Sequence, residues 1–487
     1  MAGDGLDDYS RRGARSVTHM TIRRLLAETA DVAASYLEGI SDRPIGWSAD
    51  VQELRSGLGG PLPDLPVDPL QVVTELAAAA EPGLVSSPSG RYFGFVIGGA
   101  APAALAADWL TSAWDQNAGL YVCGPSAAVV EEVAGAWSAE LLGLPADVSF
   151  GFVTGCQMAH VTGLAAARYR VLASVGWDVN DQGLMGAPPV HVFVGAERHV
   201  TVDRALRLLG FGAASIVSVT ADAQGRMRPS ALREELVRHD GPRIVCAQAG
   251  NVNTGSVDPL QEIADAAHES GAWLHVDGDF GLWAAASPSL RHLVAGADRA
   301  DSWATDAHKW LNVPYDSGIA FCADPEAHQA AMSVRAGYLV HADPDGPRDQ
   351  LDWNPEFSRR ARGFPVYAAI RSLGRAGVAE LVERCCAHAR RFGEALAAVP
   401  TAEVLNDIVL NQVLVRFLDQ AGDHDAQTRA VIEAVQRDGT CWLSGTTWHG
   451  VAAMRISVSS WATSSDDVER SLASIERAAA EARLGRI

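Results

Sequence analysis

The sequence predicts an α/β protein built on a mostly parallel, doubly wound sheet. Between about residues 100 and 320, short apolar runs alternate with amphipathic stretches of helical period. Strands buried on both faces of a parallel sheet are apolar along their whole length, and helices form the crossovers between them. The runs that we predict as strands are HVFVG (191–195), SIVSV (215–219), RIVCAQ (243–248), WLHVD (273–277) and GIAFC (318–322).

Three units are predicted along the chain. Residues 1–85 form an N-terminal helical segment, 86–345 a large domain and 346–487 a small α+β domain. The Pro/Asp/Gly-rich stretch 341–350 is predicted to be an exposed loop. Helices are predicted at 22–40, 70–80, 161–173, 260–270, 365–399 and 425–437, strands at 409–417 and 452–459, and one closing helix after them.

Composition argues against several classes of partner and structure. The chain has 39 basic and 59 acidic residues, a net charge of −20, which disfavours nucleic acid or an anionic membrane as a partner. No apolar run approaches the roughly 20 residues that span a bilayer, and the first residues lack a signal-peptide core. The seven cysteines include no CxxC pair, so we expect no disulfide framework, no metal site and a reduced, cytoplasmic protein.

Four segments carry residues suited to chemistry, and each also has a purely structural interpretation. Asp277 ends a predicted strand, at the sheet edge where ligands bind, but it could equally cap a helix or form an ion pair. Lys309, within DSWATDAHKWLNVPYDSG (301–318), could simply extend to water. The turn in FVTGCQMAH (152–160) could present N–H groups to a phosphate, although glycine turns are common. His199 follows another strand, where a lone histidine is more often structural.

Taken in order, the four segments resemble the group II amino-acid decarboxylases, which use pyridoxal 5′-phosphate (PLP) and include aromatic amino acid, glutamate and histidine decarboxylases. HVDGDFG (275–281) and the segment 301–318 look like the two signature stretches of that family, and the resemblance covers about residues 88–380. The resemblance implies a fold-type I PLP-dependent enzyme with a seven-stranded sheet. It also implies an amino acid as substrate and a homodimer with the active site at its interface.

The resemblance assigns roles to individual residues. The predicted catalytic residues are Lys309, which would hold PLP as a Schiff base, Asp277, which would pair with the protonated ring nitrogen, and His199, which would stack on the ring. The other predicted cofactor-binding residues are Gly155, Cys156, Gln157, Asp279, Asp306 and His308. Substrate is expected at Tyr92, Phe93, Asn117 and Arg359, with a surface ion pair as the alternative for Arg359.

The sequence departs from the family pattern in ways that affect the reaction. Asp279 stands where relatives usually have a small residue, so a carboxylate would lie beside the cofactor ring. Gln350 stands near the place of a loop tyrosine thought to protonate the carbanion, for which Tyr338 or Tyr367 could substitute. Relatives without that tyrosine tend to react with O₂ and give an aldehyde. Val252, where the aromatic branch has Thr, leaves the substrate less defined.

The leading hypothesis is therefore decarboxylation of an aromatic or otherwise large L-amino acid to its amine and CO₂. Within enzymes, the alternatives are decarboxylative oxidative deamination to an aldehyde, or another carbanion reaction such as transamination. A further alternative is a PLP-binding protein without efficient catalysis, in which Asp279 has disabled the site.

Overall fold

The computed structural model describes residues 21–337, 339, 341–342 and 346–483. Its main sheet consists of β1 (Ser149–Val153), β2 (His191–Gly195), β3 (Ile216–Val219), β4 (Arg243–Gln248), β5 (Trp273–Asp277), β6 (Ser302–Asp306) and β7 (Gly318–Cys322). The spatial order is β1-β7-β6-β5-β4-β2-β3. Strands β2 to β6 pair in parallel, and β7 is antiparallel to both of its neighbours. This mostly parallel seven-stranded sheet confirms the predicted fold class.

Two buried strands, β1 and β6, are not among the runs predicted from apolar composition. Strand β6 reads SWATD, yet all five of its residues are buried. Its polar side chains are satisfied internally: Ser302 Oγ accepts a hydrogen bond from Trp273, and Thr305 Oγ1 donates to the carbonyl of Gly278. Because a buried polar group is tolerated once it is hydrogen-bonded, apolar content alone misses such a strand.

Helices cover both faces of the sheet and extend N-terminal to it. Helix α2 was not predicted; it begins with a capping box in which Asp50 and Glu53 each accept a hydrogen bond from the other's backbone N–H. The N-terminal and central helices are α1 (Ile22–Glu38), α2 (Val51–Leu58), α3 (Pro69–Ala80), α4 (Pro102–Trp114), α5 (Pro125–Leu141), α6 (Cys156–Ala173), α7 (Val179–Gln182), α8 (Val200–Leu208), α9 (Pro229–Arg238), α10 (Leu260–Glu269) and α11 (Pro325–Met332). In the described ranges, no helix has both the length and the apolar character needed to cross a bilayer.

A second sheet of four antiparallel strands lies near the C-terminus, as the predicted small α+β unit requires. The strands are β8 (Ala402–Val404), β9 (Gln412–Phe417), β10 (Ser444–Trp448) and β11 (Val451–Ser457), in the order β10-β11-β9-β8. The associated helices are α12 (Gly363–Ala397), α13 (His424–Asp438) and α14 (Ser465–Arg483). Helix α12 is interrupted at Gly374, which has φ 61° and ψ 178°. The domain boundaries at 85 and 345 stay predictions.

The stretch 341–350 was predicted to be an exposed loop, and this prediction is wrong for its last residues. Asp349 and Gln350 are buried, and the Arg348 guanidinium stacks over the rings of Phe150 and Trp353 at 4.3 and 4.5 Å. Polar composition suggested exposure, but these residues pack against the edge of the main sheet.

In the segment that follows α11, residues near its start contact Asp352 at its end. Ser333 Oγ donates to Asp352 Oδ1 at 2.7 Å, and an Arg335 guanidinium nitrogen lies 3.4 Å from Asp352 Oδ2. Asp349 in turn accepts hydrogen bonds from the backbone N–H groups of Tyr121 and Ala342. The two ends of the segment are therefore held together.

Candidate active site

Three acidic residues and one lysine converge where neighbouring parallel strands end. Asp277 ends β5 and Asp306 ends β6, and the two strands pair in parallel. Asp279 follows β5 by two residues, and Lys309 follows β6 by three. Because the carboxyl ends of adjacent parallel strands meet at one edge of the sheet, the fold itself brings these side chains together.

Lys309 lies between two carboxylates. Its Nζ contacts Asp279 Oδ1 and lies 3.2 Å from Asp306 Oδ2, and its side chain is only 17% exposed. Burial acts to lower the pKa of Lys309, but the charges of Asp279 and then Asp306 outweigh burial and raise the pKa above its ordinary value. Lys309 is therefore a buried ammonium, which must lose a proton before it can act as a nucleophile.

Asp277 offers a buried acceptor. Its Oδ2 has no hydrogen-bond partner among the residues that the structure describes, whereas Oδ1 accepts from the backbone N–H of Asp279 at 3.3 Å. Burial, followed by the neighbouring Asp279 charge, raises the pKa of Asp277 to about 6. A buried acceptor without a partner is costly unless a ligand satisfies it. A protonated ring nitrogen, as in bound PLP, has the chemistry that fits Asp277 Oδ2.

The turn before α6 has the features of an anion site. Gly155 precedes the helix, and the Cys156 N–H donates to Asp306 Oδ1 at 2.6 Å. A Cβ on Gly155 would lie 3.0 Å from His308 Cε1, closer than most side chains tolerate. Gln157 Nε2 donates to the carbonyl of Thr201, while its buried Oε1 has no partner among the described residues. The N–H at the start of α6 thus already binds an anionic acceptor, which is the kind of group that the N-terminus of a helix favours.

Two histidines flank the cluster. His199 Nδ1 lies 2.7 Å from Thr201 Oγ1. His308 Nε2 lies 3.4 Å from Asp306 Oδ1, and burial followed by the Lys309 charge lowers the pKa of His308 to about 4. His308 is therefore neutral, and it can donate or accept a hydrogen bond without adding charge.

The four predicted substrate residues lie among other contacts. Tyr92 stacks on Trp442 at 5.2 Å, and Phe93 is fully buried in the core against Phe392. Asn117 Oδ1 accepts from the backbone N–H groups of Gly119 and Arg359. None of these contacts involves the Lys309 cluster.

Arg359 forms an ion pair, but the pair is buried, whereas the alternative to substrate binding was an ion pair on the surface. Its fully buried guanidinium donates to both oxygens of Glu131, at 2.7 and 3.0 Å, and to the carbonyls of Ala118 and Phe152. These bonds occupy the fork that would hold a substrate carboxylate, so the structure favours a structural role for Arg359.

The candidate replacements for the loop tyrosine also have defined positions. Gln350 is buried and donates to the carbonyl of Ala128, and Tyr367 stacks on Trp137 at 5.1 Å beside the core. Tyr338 lies outside the described residues. Tyr315 was missed by the sequence analysis: its ring lies 4.3 Å from that of His308. Burial, followed by the charges of Asp306 and Asp279, raises the pKa of Tyr315 against the opposing charge of Lys309.

Two histidines behind Asp277 were also missed. His160 lies one helical turn after Cys156, and His275 lies two residues before Asp277 on β5. These spacings place His160 on the same helix face as Cys156, and His275 on the same strand face as Asp277, so the sequence could have indicated both positions. Ligand atoms of Cys156, His160 and Asp277 all lie within 4.8 Å of one another. Burial raises the pKa of Cys156 well above its ordinary value, so a neutral thiol, a poor metal ligand, is present.

Known proteins share both the sequence pattern and the fold. Residues 53–418 match the model of the pyridoxal-dependent decarboxylase conserved domain. An L-2,4-diaminobutyrate decarboxylase from Rhizobium meliloti (strain 1021) is 31% identical, over 98% of this chain and 94% of that protein. An aromatic-L-amino-acid decarboxylase from Bacillus atrophaeus is 26% identical, over 82% of each chain.

Among solved structures, Oryza sativa TDC with PLP and tryptamine superposes with a TM-score of 0.89, at 24% identity and covering 95% of this chain and 98% of that one. This likeness supports the fold, and the family match covers most of the chain and both signature segments. The chain belongs to the pyridoxal-dependent amino-acid decarboxylase family, whose cofactor is PLP.

Proposed function

We propose that this enzyme decarboxylates an L-amino acid with a large side chain and releases the amine and CO₂. The observation that carries the proposal is the buried Asp277 Oδ2, which has no hydrogen-bond partner within the described part of the chain, in the same site as the buried Lys309. When bound, PLP supplies an electron sink for the electron pair left by departing CO₂. Aromatic amino acids are the first candidates because a relative that is similar along most of its length acts on them.

The residues of this chain would divide the work. Lys309 would bind the cofactor covalently and carry protons at Nζ, while Asp277 Oδ2 would accept the ring N–H and keep the ring cationic. His199 would cover one face of the ring, and Gly155, Cys156, Gln157 and His308 would surround the phosphate. Asp279 and Asp306 would hold the proton that Lys309 gives up, since both carboxylates already contact Nζ.

Asp279 also supports a wider substrate range. Its carboxylate is the feature in which this site departs from the family pattern, and a carboxylate can bind a substrate ammonium or hydroxyl group. The similarity to a diaminobutyrate decarboxylase points in the same direction. The substrate panel should therefore include basic and hydroxylated amino acids as well as aromatic ones.

A second candidate function is PLP binding without efficient catalysis. The observation in its favour is the Lys309–Asp279 ion pair, which stabilises the unreactive ammonium form. Catalytic decarboxylation predicts that at least one amino acid in the panel changes the absorption spectrum and releases CO₂. Cofactor binding with no spectral change for any amino acid would favour the non-catalytic function.

The deciding experiment is a spectral screen of the yellow, PLP-loaded protein with CO₂, amine, aldehyde and H₂O₂ measured for every hit. Amine in a one-to-one ratio with CO₂ supports the proposal, whereas stoichiometric aldehyde with H₂O₂ would mean oxidative deamination. Lys309→Ala should lose the absorption band that borohydride abolishes in the wild type. A band that persists in Lys309→Ala would disprove the assignment of the cofactor lysine.

We further infer a homodimer in a reducing compartment. Helix α1 has no buried residue in the described chain, and its apolar side chains Ile22 and Leu26 are 69% and 55% exposed. This helix therefore offers an apolar face to a partner copy. All seven cysteines are free thiols, and six are buried, which fits the cytoplasm. Light scattering with size-exclusion chromatography should give twice the chain mass of 51.4 kDa; a monomer mass at micromolar concentration would contradict the dimer.

A further inference from the structure

A chain of buried polar side chains leads away from Asp277 into the space between α6 and the sheet. His160 Nε2 lies 3.5 Å from Asp277 Oδ1, and His160 Nδ1 lies 2.9 Å from His275 Nε2. His275 Nδ1 lies 2.8 Å from Ser302 Oγ, which also accepts from the indole N–H of Trp273 at 2.9 Å. We call Trp273, Ser302, His275 and His160 the buried hydrogen-bond chain. The proposed function assigns no task to its members.

The fold places the chain by simple periodicity. His275 and Asp277 alternate with one residue between them on β5, so both point to the face covered by α6. His160 faces them from α6, and Gly163 lies next on the same side of that helix. A Cβ on Gly163 would come within 3.1 Å of the His275 ring, so glycine gives the imidazole its space. The two rings thus fill a gap shaped for them.

Hydrogen-bond chemistry gives this chain one direction. The Trp273 indole can only donate, and it donates to Ser302 Oγ, whose own proton then points to His275 Nδ1. His275 therefore carries its proton on Nε2 and donates to His160 Nδ1. That arrangement leaves the His160 proton on Nε2, which lies 3.5 Å from both Asp277 Oδ1 and Cys156 Sγ, and the Cys156 thiol itself donates to Asp277 Oδ1 at 3.9 Å. The reverse direction would leave the Ser302 proton unused and turn a His160 lone pair toward the carboxylate.

Burial keeps both imidazoles neutral, so they act as oriented dipoles rather than as charges. Burial lowers the pKa of His160 to about 4, despite the opposing charge of Asp279. Burial, followed by His160, lowers the pKa of His275 well below its ordinary value. The remaining neighbour of His160 Nε2 is Cys156 Sγ at 3.5 Å, a neutral thiol.

We propose that His160 and His275 are positioning residues that direct a fixed N–H at Asp277 Oδ1, keep that carboxylate ionised with Oδ2 free, and thereby favour a protonated cofactor ring nitrogen. The proposal rests on the role of Asp277 in the proposed function. Burial and the Asp279 charge both act against ionisation of Asp277, and an N–H directed at Oδ1 opposes them.

The first test reads the ring nitrogen directly. Protein loaded with PLP that is ¹⁵N-labelled in the ring is titrated by ¹⁵N NMR from pH 6 to 9, for the wild type and His160→Phe, His160→Gln and Ser302→Ala. A hydrogen bond to a charged group accounts for a factor of about ten or more in an equilibrium, so His160→Phe should lower the ring-nitrogen pKa by about one unit or more. His160→Gln, which keeps an N–H donor, should restore most of the effect, and Ser302→Ala should shift it in the same direction by a smaller amount.

His328→Gln is the matched control. His328 is as buried as His160 and also hydrogen-bonds a serine, Ser149, at 2.8 Å, but none of its bonds reaches the cluster. We expect this control to lower the melting temperature without moving the ring-nitrogen pKa. An unchanged ring-nitrogen pKa in His160→Phe would overturn the proposal; if that variant fails to fold, an unchanged pKa in Ser302→Ala does so.

The second test needs no cofactor. Histidine-selective ¹⁵N labelling of the unloaded protein, with signals assigned by loss in His160→Phe and His275→Phe, distinguishes the two tautomers. Protons on Nε2 of both residues support the direction given above, and protons on Nδ1 overturn it. A wild type that binds no PLP would refute both the proposed function and this inference, whereas PLP binding with an unaffected ring nitrogen refutes this inference alone.

Discussion

Replacement of Asp279 by asparagine should make Lys309 far more reactive toward PLP. The substitution keeps the shape of the side chain and removes the charge that contacts Nζ, while the pair with Asp306 at 3.2 Å remains. An ion pair of about 4 Å at an effective dielectric constant of about 20 is worth about 4 kcal/mol, or about 3 pKa units. Even a third of that value increases the neutral fraction of Lys309 about tenfold at a given pH below the pKa.

The assay is the rate of PLP capture by the unloaded protein, followed in a stopped-flow absorbance instrument between pH 7 and 10. Because the free amine is the nucleophile, Asp279→Asn should capture PLP about ten- to a thousandfold faster at pH 8. The control Glu326→Gln removes one negative charge from a side chain that is 92% exposed and should capture at the wild-type rate. Equal rates and equal pH profiles for Asp279→Asn and the wild type would refute the reasoning about Lys309.

Four further predictions concern stability and product. Arg359→Met should lower the free energy of unfolding in urea by about 3–5 kcal/mol, because it leaves the Glu131 carboxylate buried and unpaired. Unchanged stability with a raised KM would instead indicate that Arg359 binds the substrate. Asp258 accepts backbone N–H groups with both oxygens, so Asp258→Asn should cost about 1–3 kcal/mol at pH 8, and an unchanged melting temperature there would contradict this. Burial raises the pKa of Asp258 to about 7, so between pH 4 and 7 the folded state binds a proton that the unfolded state has lost. The stability of the wild type should therefore fall as the pH rises through this range. Melting curves of Asp258→Asn should lack this contribution to the pH dependence. If Tyr315 supplies the proton that completes the amine, Tyr315→Phe should raise the aldehyde-to-amine ratio at least tenfold by chromatography, and an unchanged ratio would exclude Tyr315 as that donor.

Strands that are apolar throughout could be predicted from the sequence because burial on both faces leaves a local signature. HVFVG and GIAFC, predicted at 191–195 and 318–322, occur with those bounds in the structure. SWATD could not be recognised, since its burial depends on partners such as Trp273, which is 29 residues away from Ser302. Polar composition likewise predicted an exposed Arg348, whereas its guanidinium stacks on the rings of Phe150 and Trp353.

The candidate site divides in the same way. The assignment of Asp277, Asp306 and Lys309 to one site came from the family resemblance, and the pairing of β5 with β6 in the structure explains why they converge. The role of Arg359 depends on Glu131, which is 228 residues away, and one sequence gives no means of pairing them. The His160–His275 contact has local signals on each side, but it requires knowing which helix covers which strand.

The tie between Ser333 and Asp352 has a consequence for how this enzyme can diversify. Since the two ends of the segment are fixed to each other, a longer chain between them would add little to the entropy cost of folding, provided that the buried Asp349 and Gln350 and the stacked Arg348 are kept. Doubling the length of a closed loop costs only about 0.6 kcal/mol of entropy. New sequences could be exchanged there, in the laboratory or by natural variation, while the sheet edge that carries Lys309 stays intact. If this segment governs the fate of the carbanion, as the family resemblance implies, the reaction product could change while the stability of the fold does not.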